Sequence, residues 1–402
     1  MRYSYAPLFL CLVTATTLCS IAPASASPFL RSSANAAVRH VSGSRGKIGP
    51  ILTTAHGGLM VGWDVDQNGN DGLLAEADQN VSILESFDLA TAKITSLGSR
   101  QPAHQGNAIR QYFVEKILAN DVALVDDDFL IMKTFTRNDT FPLVSPAKGA
   151  KITGEWTPPH RHNLLVQWVA DNQTTTQDAV VADTNKPTGG VIHLLLSDVA
   201  KNTFGPTTHF PTHPGQVWGG PQLVALDTST NHAVVGTQLD IGSIFNPFES
   251  PSFDVFDVNT GSVLSVYSPN VGSGAIMGIA IDSKTHMMCT TTSTDSNVEF
   301  YNLTTGAAFA VPFPGLHGQL NSGGAVAVDQ LHHLFIVTQP SVGSFNSTVF
   351  VYAENGNLLE SIPGFSFSNT FAAIFAYVAV NPKMRIGYAT GPNENQIQQF
   401  TY

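Results

Sequence analysis

The chain has 402 residues, of which 43% are apolar and only 12% are charged, so it is long and apolar enough to bury a large core. Its formal net charge is −11 and no run of the sequence concentrates lysine or arginine. This balance makes nucleic acids and anionic membrane surfaces poor partners, and we expect neither.

The first 26 residues predict a secretory signal peptide. Arg2 precedes an apolar run, and Ala24-Ser25-Ala26 supplies a small-residue cleavage site. An N-terminal membrane anchor is the alternative interpretation, but the run is short for a spanning helix. No later segment is apolar enough to span a bilayer. We therefore expect a secreted or periplasmic protein whose residues 27–402 form a single domain and a monomer.

A calcium loop is predicted in the stretch GWDVDQNGNDGLLAEAD, residues 62–78. Its alternating oxygen side chains and central glycine have the spacing of a Ca²⁺ loop, with ligands at Asp64, Asp66, Asn68 and Asn70. The match is incomplete, because the twelfth position is Ala75 where a glutamate is required. A tight turn on Asn-Gly explains the same residues and stays open as the alternative.

An internal repeat organises most of the chain. Each copy has an apolar run that ends in Asp or Asn, a polar turn and a second apolar run, as in GGAVAVDQLHHLFIV (323–337). The marker residues recur at intervals of 45–62 residues. They are Asp64, Asp126, Asp171, Asp227, Asp282, Asp329 and Asn381. We expect these side chains to cap turn amides rather than to act as catalytic carboxylates.

Two further apolar runs complete each copy, for example SFDVFDVNTG and SVLSVYS after Asp227. Short apolar runs separated by Asp, Asn and Gly turns are typical of antiparallel strands. Four strands at this period predict an all-β fold, a seven-bladed β-propeller with four-stranded antiparallel blades. Tandem β-sandwich domains are the competing interpretation.

The stretches MMCTTTSTDSNVEFYNLTTG (287–306) and IGYATGPNENQIQQFTY (386–402) resemble blades of the NHL and YVTN repeat propellers. That group is similar in turn to the SMP-30/gluconolactonase and lactonase propellers. The resemblance covers most of the mature chain and implies a seven-bladed propeller. It is a likeness of architecture and implies no particular chemistry.

The last copy ends at the chain terminus without its outermost strand. In propellers this strand commonly comes from the N-terminus, which removes an exposed sheet edge. We therefore predict a closing strand within residues 36–54. The two apolar candidates are Ala36–Ser42 and Ile48–Thr54.

Histidines concentrate in the segments that lead into the predicted innermost strands, on the face where propellers usually bind ligands. Imidazole can ligate metal or transfer protons near neutral pH, and tryptophan supplies contact area. The predicted ligand-binding residues are His56, His104, His160, His162, His209, His213, Trp218 and His317. Ordinary exposed loop positions and packing between blades are the alternative interpretations.

Sequence motifs of known enzyme classes are absent: we find no Gly-x-Ser-x-Gly, no His-Glu-x-x-His and no P-loop. The one mature cysteine, Cys289, lies in an apolar run and is interpreted as a buried small residue rather than a nucleophile. We therefore predict a propeller that binds a small molecule, a glycan or a protein through its loops, with no catalysis assigned. The alternatives are a lactonase-like or metal-dependent hydrolase and a purely structural envelope protein.

Overall fold

Seven four-stranded antiparallel sheets make up the described part of the chain in a computed structural model. It describes residues 46–402, and all of them belong to the unit Val38–Tyr402. The gaps within this range are residues 103, 106–107, 110, 119–120, 127–140, 157–165, 171–177, 186–190, 199–202, 212–223, 237–252, 258–259, 261, 268–275, 293–296, 315–323, 341–346 and 368–376.

The strands follow one another in chain order, from the innermost to the outermost of each sheet. Sheet 1 contains β2 (Leu59–Val65), β3 (Asp71–Ala77), β4 (Val81–Asp88) and β5 (Lys93–Pro102). A two-stranded pair, β6 (His104–Gln105) and β7 (Ala108–Ile109), follows it. Sheet 2 contains β8 (Phe113–Leu118), β9 (Val122–Asp126), β10 (Phe141–Ser145) and β11 (Lys151–Trp156). Sheet 3 contains β12 (Val166–Ala170), β13 (Asp178–Asn185), β14 (Val191–Asp198) and β15 (Thr203–Pro211).

The second half of the chain repeats this arrangement. Sheet 4 contains β16 (Val224–Asp227), β17 (His232–Gly236), β18 (Phe253–Asp257) and β19 (Val263–Tyr267). Sheet 5 contains β20 (Ile276–Asp282), β21 (Met287–Thr292), β22 (Asn297–Asn302) and β23 (Ala308–Pro312). Sheet 6 contains β24 (Val326–Asp329), β25 (Leu334–Gln339), β26 (Ser347–Ala353) and β27 (Leu358–Phe365). Sheet 7 contains β28 (Val378–Asn381), β29 (Ile386–Thr390), β30 (Gln396–Thr401) and, from the start of the chain, β1 (Lys47–Thr53).

Burial along the strands shows which faces of the sheets are covered. The second strand of sheet 5, β21, is buried at every position, whereas its outermost strand, β23, alternates between exposed and half-buried positions. A strand buried on both faces reads as a continuous apolar run, and a strand at the rim alternates. The sheets therefore pack face to face, with their outermost strands towards solvent.

The innermost strands contact one another in a closed cycle, in the order β2, β8, β12, β16, β20, β24, β28 and again β2. Aromatic side chains fill the space between neighbouring sheets. The ring of Phe300 packs edge-on against Phe335 at 5.8 Å, and Phe87 packs against Tyr388 at 5.3 Å. Each sheet thus buries its faces only against its neighbours, as propeller blades do.

The N-terminal strand completes the last sheet, as predicted. Strand β1 pairs antiparallel with β30, with Lys47 opposite Thr401 and Thr53 opposite Gln396. The closing strand is therefore the second of the two predicted candidates, while the first, 36–42, lies outside the described residues. The prediction of an all-β propeller with four-stranded antiparallel blades and N-terminal closure is confirmed.

One marker of the repeat was misplaced. Asp126 ends β9, the second strand of sheet 2, and the innermost strand of that sheet is β8. The sequence of β8, FVEKIL, carries two charged residues and lacks the apolar run of the other copies. The prediction that Asp126 marks the same position of the repeat as the other markers, which end innermost strands, is therefore wrong.

Antiparallel order places the connections between strands alternately at two faces. We call the face where the innermost strands begin the entry face, and the face where they end the exit face. At the exit face, the marker carboxylates of Asp227, Asp282 and Asp329 accept hydrogen bonds from turn amides, and the side-chain oxygen of Asn381 does the same. The predicted capping role is confirmed for these four residues. Among the described residues, none belongs to a helix with the length and hydropathy of a membrane span.

Candidate functional site

The predicted ligand-binding residues are distributed over the segments before the innermost strands, with one exception. His56 is fully described and lies between β1 and β2 at the entry face. His209 is not in such a segment, because it belongs to the outermost strand β15, opposite His193. His104 begins β6, and only the backbone of His104 and His209 is described. The other predicted residues lie outside the described part: His160, His162, His213, Trp218 and His317.

Two buried glutamates accompany His56. Nδ1 of His56 lies 3.2 Å from Oε2 of Glu76 and 3.9 Å from Oε1 of Glu85. The side chain of His56 is 49% exposed, whereas those of Glu76 and Glu85 are 3% and 0% exposed. The three ligand atoms all lie within 4.8 Å of one another. The arrangement is a small acid–imidazole cluster with one side open to solvent.

The register of β3 and β4 brings the two glutamates together. Glu76 lies opposite Ile83, and Glu85 follows Ile83 by two residues. Side chains two residues apart on a strand point to the same face, so the carboxylates meet diagonally across the strand pair. They form a side-chain hydrogen bond with each other.

Backbone amides of the segment before β2 hold both carboxylates in place. The N–H groups of His56 and Gly58 donate to Glu76, and the N–H of Ala55 donates to Glu85 at 3.2 Å. A side chain at Gly58 would meet Oε1 of Glu76 at 2.7 Å, so only glycine fits there without a shift. The cluster therefore fixes the path of the chain into the innermost strand of sheet 1.

Burial and mutual contact separate the pKa values of the two acids. Burial, the hydrogen bond that Glu85 donates to Glu76 and the negative charge of Glu76 raise the pKa of Glu85 to about 8. Burial also acts to raise the pKa of Glu76, but the hydrogen bonds from Glu85, Gly58 and His56 together lower it. Two carboxylates so close cannot both ionise without strong repulsion, so near neutral pH the pair holds one proton.

The sequence contained a signal for these glutamates that we did not use. Glu76 and Glu85 stand inside the apolar runs of β3 and β4, where every neighbouring position is buried. Glutamate is almost never fully buried unless it has a partner. A charged residue at a core position of a strand therefore indicates a polar cluster, and the nearby His56 completes it.

The predicted calcium residues have other partners in the structure. Oδ2 of Asp64 accepts a hydrogen bond from the N–H of Ile117 at 2.8 Å and lies 3.3 Å from Nζ of Lys116. Oδ1 of Asp66 accepts the N–H of Asn68 at 2.7 Å within the turn itself. Asn68 and Asn70 are exposed. These contacts fit the alternative interpretation of a capped turn, and calcium binding here stays a prediction.

The exit face contains a second group of acids and imidazoles. Asp282 of sheet 5, His333 and Glu354 of sheet 6 offer ligand atoms within 4.8 Å of one another. Here, however, a cation is already present, because Nζ of Lys284 lies 3.2 Å from Nε2 of His333. Asp282 also caps its own turn. This group therefore connects sheets 5 and 6 and already has a cationic side chain beside its histidine.

The thiol of Cys289 is excluded as a nucleophile. Cys289 is completely buried in β21, and burial raises the pKa of its thiol well above its ordinary value. A reactive cysteine needs an exposed thiolate. The interpretation of Cys289 as a packing residue is consistent with this environment.

No protein-family model matches the sequence, and no curated protein matches it either. Solved structures do match the fold. The crystal structure of RRP9 WD40 repeats superimposes with a TM-score of 0.54 at 13% identity, over 88% of this chain and 99% of that chain. This chain is a β-propeller.

Two further propellers are equally similar in fold. The β-propeller domain of Myceliophteria thermophila Cps50 (Swd1) matches with a TM-score of 0.53 at 11% identity, over 89% of this chain and 99% of that chain. A chain of the Mitotic Checkpoint Complex matches with a TM-score of 0.54 at 13% identity, over 88% of this chain and 94% of that chain. At such identities the likeness concerns the fold alone.

Proposed function

We propose that this protein is a binding scaffold, a single closed seven-bladed ring that holds a protein partner on its entry face, and we assign it no catalysis. The observation that carries the proposal is the difference between the connections at the two faces.

In sheets 4 to 7, the connections after the innermost strands at the exit face are short and regular. The turns after the innermost strands of sheets 4 to 7 have the same length and lie at 228–231, 283–286, 330–333 and 382–385. The connections at the entry face, by contrast, vary in length. The short connection 78–80 and the long connection 237–252 are two examples. A rigid scaffold that carries loops of varied length at one face is the common arrangement of binding proteins.

The similar solved structures support a protein as the partner. One of them is a chain of the Mitotic Checkpoint Complex, and that chain works within a protein assembly. Loops that vary in length around a ring form a broad surface, which suits a protein better than a small molecule. The aromatic residues near the ends of strands are weaker support for a binding surface, because Trp156, Phe365 and Phe367 are buried and pack in the core.

The test compares the two faces. We would immobilise the wild-type protein, a variant with 237–252 replaced by a short Gly-Ser turn, and the exit-face variant Leu331→Ser. Leu331 is 59% exposed, so its replacement should not disturb the fold. After a check of each fold by melting, bound proteins are quantified by mass spectrometry. We expect a partner that is retained by the wild type and by Leu331→Ser and lost from the loop variant. If the exit-face variant loses the partner instead, or the wild type retains none, the proposal is wrong.

Two predictions from the sequence remain part of the proposal. Secretion or a periplasmic location rests on the signal peptide of residues 1–26, which lie outside the described residues. Likeness to the NHL, YVTN and SMP-30 propellers rests on the quoted stretches alone. A lactonase-like activity would need a metal and a base at the entry face, and His56 with Glu76 and Glu85 would be the described residues to supply them.

A further inference from the structure

We propose that His56, Glu76 and Glu85 bind one divalent transition-metal ion such as Zn²⁺, with one coordination position open to solvent. This inference goes beyond the proposed binding of a protein partner and does not depend on it.

The distances between the ligand atoms fit such an ion. For tetrahedral zinc with bonds of about 2.0–2.2 Å, neighbouring ligand atoms lie about 3.3–3.6 Å apart. Nδ1 of His56 lies 3.2 Å from Oε2 of Glu76 and 3.9 Å from Oε1 of Glu85. Both distances from Nδ1 of His56 are thus within a few tenths of an ångström of that range, and all three ligand atoms lie within 4.8 Å of one another, so modest shifts would place them around one ion.

The charge of the cluster also favours a cation. Within the described residues, no lysine or arginine pairs with Glu76 or Glu85, and His56 is the only basic side chain that contacts them. Burying two carboxylates together is costly unless a cation or a proton offsets their repulsion. A divalent ion would balance both at once. The exit-face group of Asp282, His333 and Glu354 differs, because a lysine is already present there: Lys284 contacts His333.

The surroundings are already arranged as they are around bound metals. The amides of Gly58 and Ala55 hold the two carboxylates, so the ligands are oriented before an ion arrives. The exposed side of His56 gives the ion a path from solvent. Three protein ligands with a fourth position towards water are typical of sites where zinc contacts a further ligand.

The test is a titration of the purified full chain with Zn²⁺, after chelator treatment and dialysis, followed by calorimetry. We expect one Zn²⁺ per chain. Glu85→Gln keeps the shape of the protonated glutamate, and His56→Ala changes a half-exposed side chain, so both variants should fold. Each should weaken zinc binding at least ~10-fold. Melting curves with added Zn²⁺ provide the second measurement, since an ion that binds only the folded state raises Tm in the wild type.

The matched control is His333→Ala, which alters the other metal-capable group. It should bind Zn²⁺ like the wild type. The proposal fails if the wild type binds no zinc, if Glu85→Gln and His56→Ala bind as tightly as the wild type, or if His333→Ala alone abolishes binding. In the last case the zinc site lies at the exit face.

Discussion

Nδ1 of His333 lies 2.6 Å from Oδ2 of Asp282, across the boundary between sheets 5 and 6. The same relation joins His286 to Asp227 at 2.7 Å between sheets 5 and 4. His286 and His333 occupy the same left-handed turn position, with φ of +58° in both. Asp227 and Asp282 thus each cap their own turn with one oxygen and contact the next sheet with the other.

Breaking this contact should destabilise the ring. Asp282 is fully buried, so His333→Ala removes a partner from a buried charge and should lower the free energy of unfolding by about 1–3 kcal/mol. His332→Ala is the matched control, since His332 contacts Asp329 within one turn and Asp329 keeps Tyr402 as a partner. Urea unfolding measures both. An equal or larger loss for His332→Ala would contradict the importance of the contact between sheets.

The last marker is an asparagine because its partners are acceptors. Nδ2 of Asn381 donates to the carbonyls of Asp66 at 2.6 Å and Gly69 at 2.7 Å, which joins sheet 7 to sheet 1. Asn381→Asp would set a carboxylate against two carbonyl oxygens and should destabilise the protein by about 1–3 kcal/mol at neutral pH. The loss should shrink at acid pH, where the new carboxyl can donate a proton. A destabilisation that does not change with pH would argue against this explanation.

The closing strand offers a comparison of adjacent residues. Leu52 of β1 is 1% exposed and packs in the core, whereas Ile51 is 44% exposed. Leu52→Ala should cost about 2–5 kcal/mol, and Ile51→Ala should change stability by less than about 0.5 kcal/mol. Thermal unfolding of the two variants tests whether β1 is part of the core. Similar Tm values for both would mean that it is not.

The glutamate pair should make stability depend on pH in the metal-free protein. The pKa of Glu85 rises from its ordinary 4.5 to about 8 on folding, so between these values the folded state binds a proton that the unfolded state has released. The stabilisation is therefore lost as pH rises from about 5 to 8, by up to about 1.4 kcal/mol per pH unit. Below pH 4.5 the lowered pKa of Glu76 has the opposite effect.

Urea unfolding at several pH values in the presence of chelator measures this slope. Glu85→Gln should remove it between pH 5 and 8. A second variant, Glu394→Gln, changes an exposed carboxylate and should keep the wild-type slope. If Glu85→Gln and the wild type show the same slope, Glu85 is already ionised at neutral pH.

The sequence predicted the fold better than the site, for physical reasons. Strands and turns are local features, so apolar runs and Asp-capped turns revealed the repeat and its closing strand. The error at Asp126 arose where β8 carries Glu115 and Lys116 in place of an apolar run. Contacts between sheets depend on register and on residues far apart in sequence. From the sequence, Asp282 and His333 are therefore two separate turn residues, with nothing to indicate that they contact each other. Glu76 and Glu85 likewise form no motif with a recognisable spacing.

Closure by β1 also determines when the fold can be completed during synthesis of the chain. The N–H of Lys47 donates to the hydroxyl of Thr401, 354 residues further along the chain. At about 5–20 residues per second, a ribosome needs roughly 20–70 s to make that stretch. During this time β1 emerges and has no partner, and the ring cannot close until β30 leaves the ribosome. Closure of the ring is therefore a late step of folding, and it depends on β1 meeting β30.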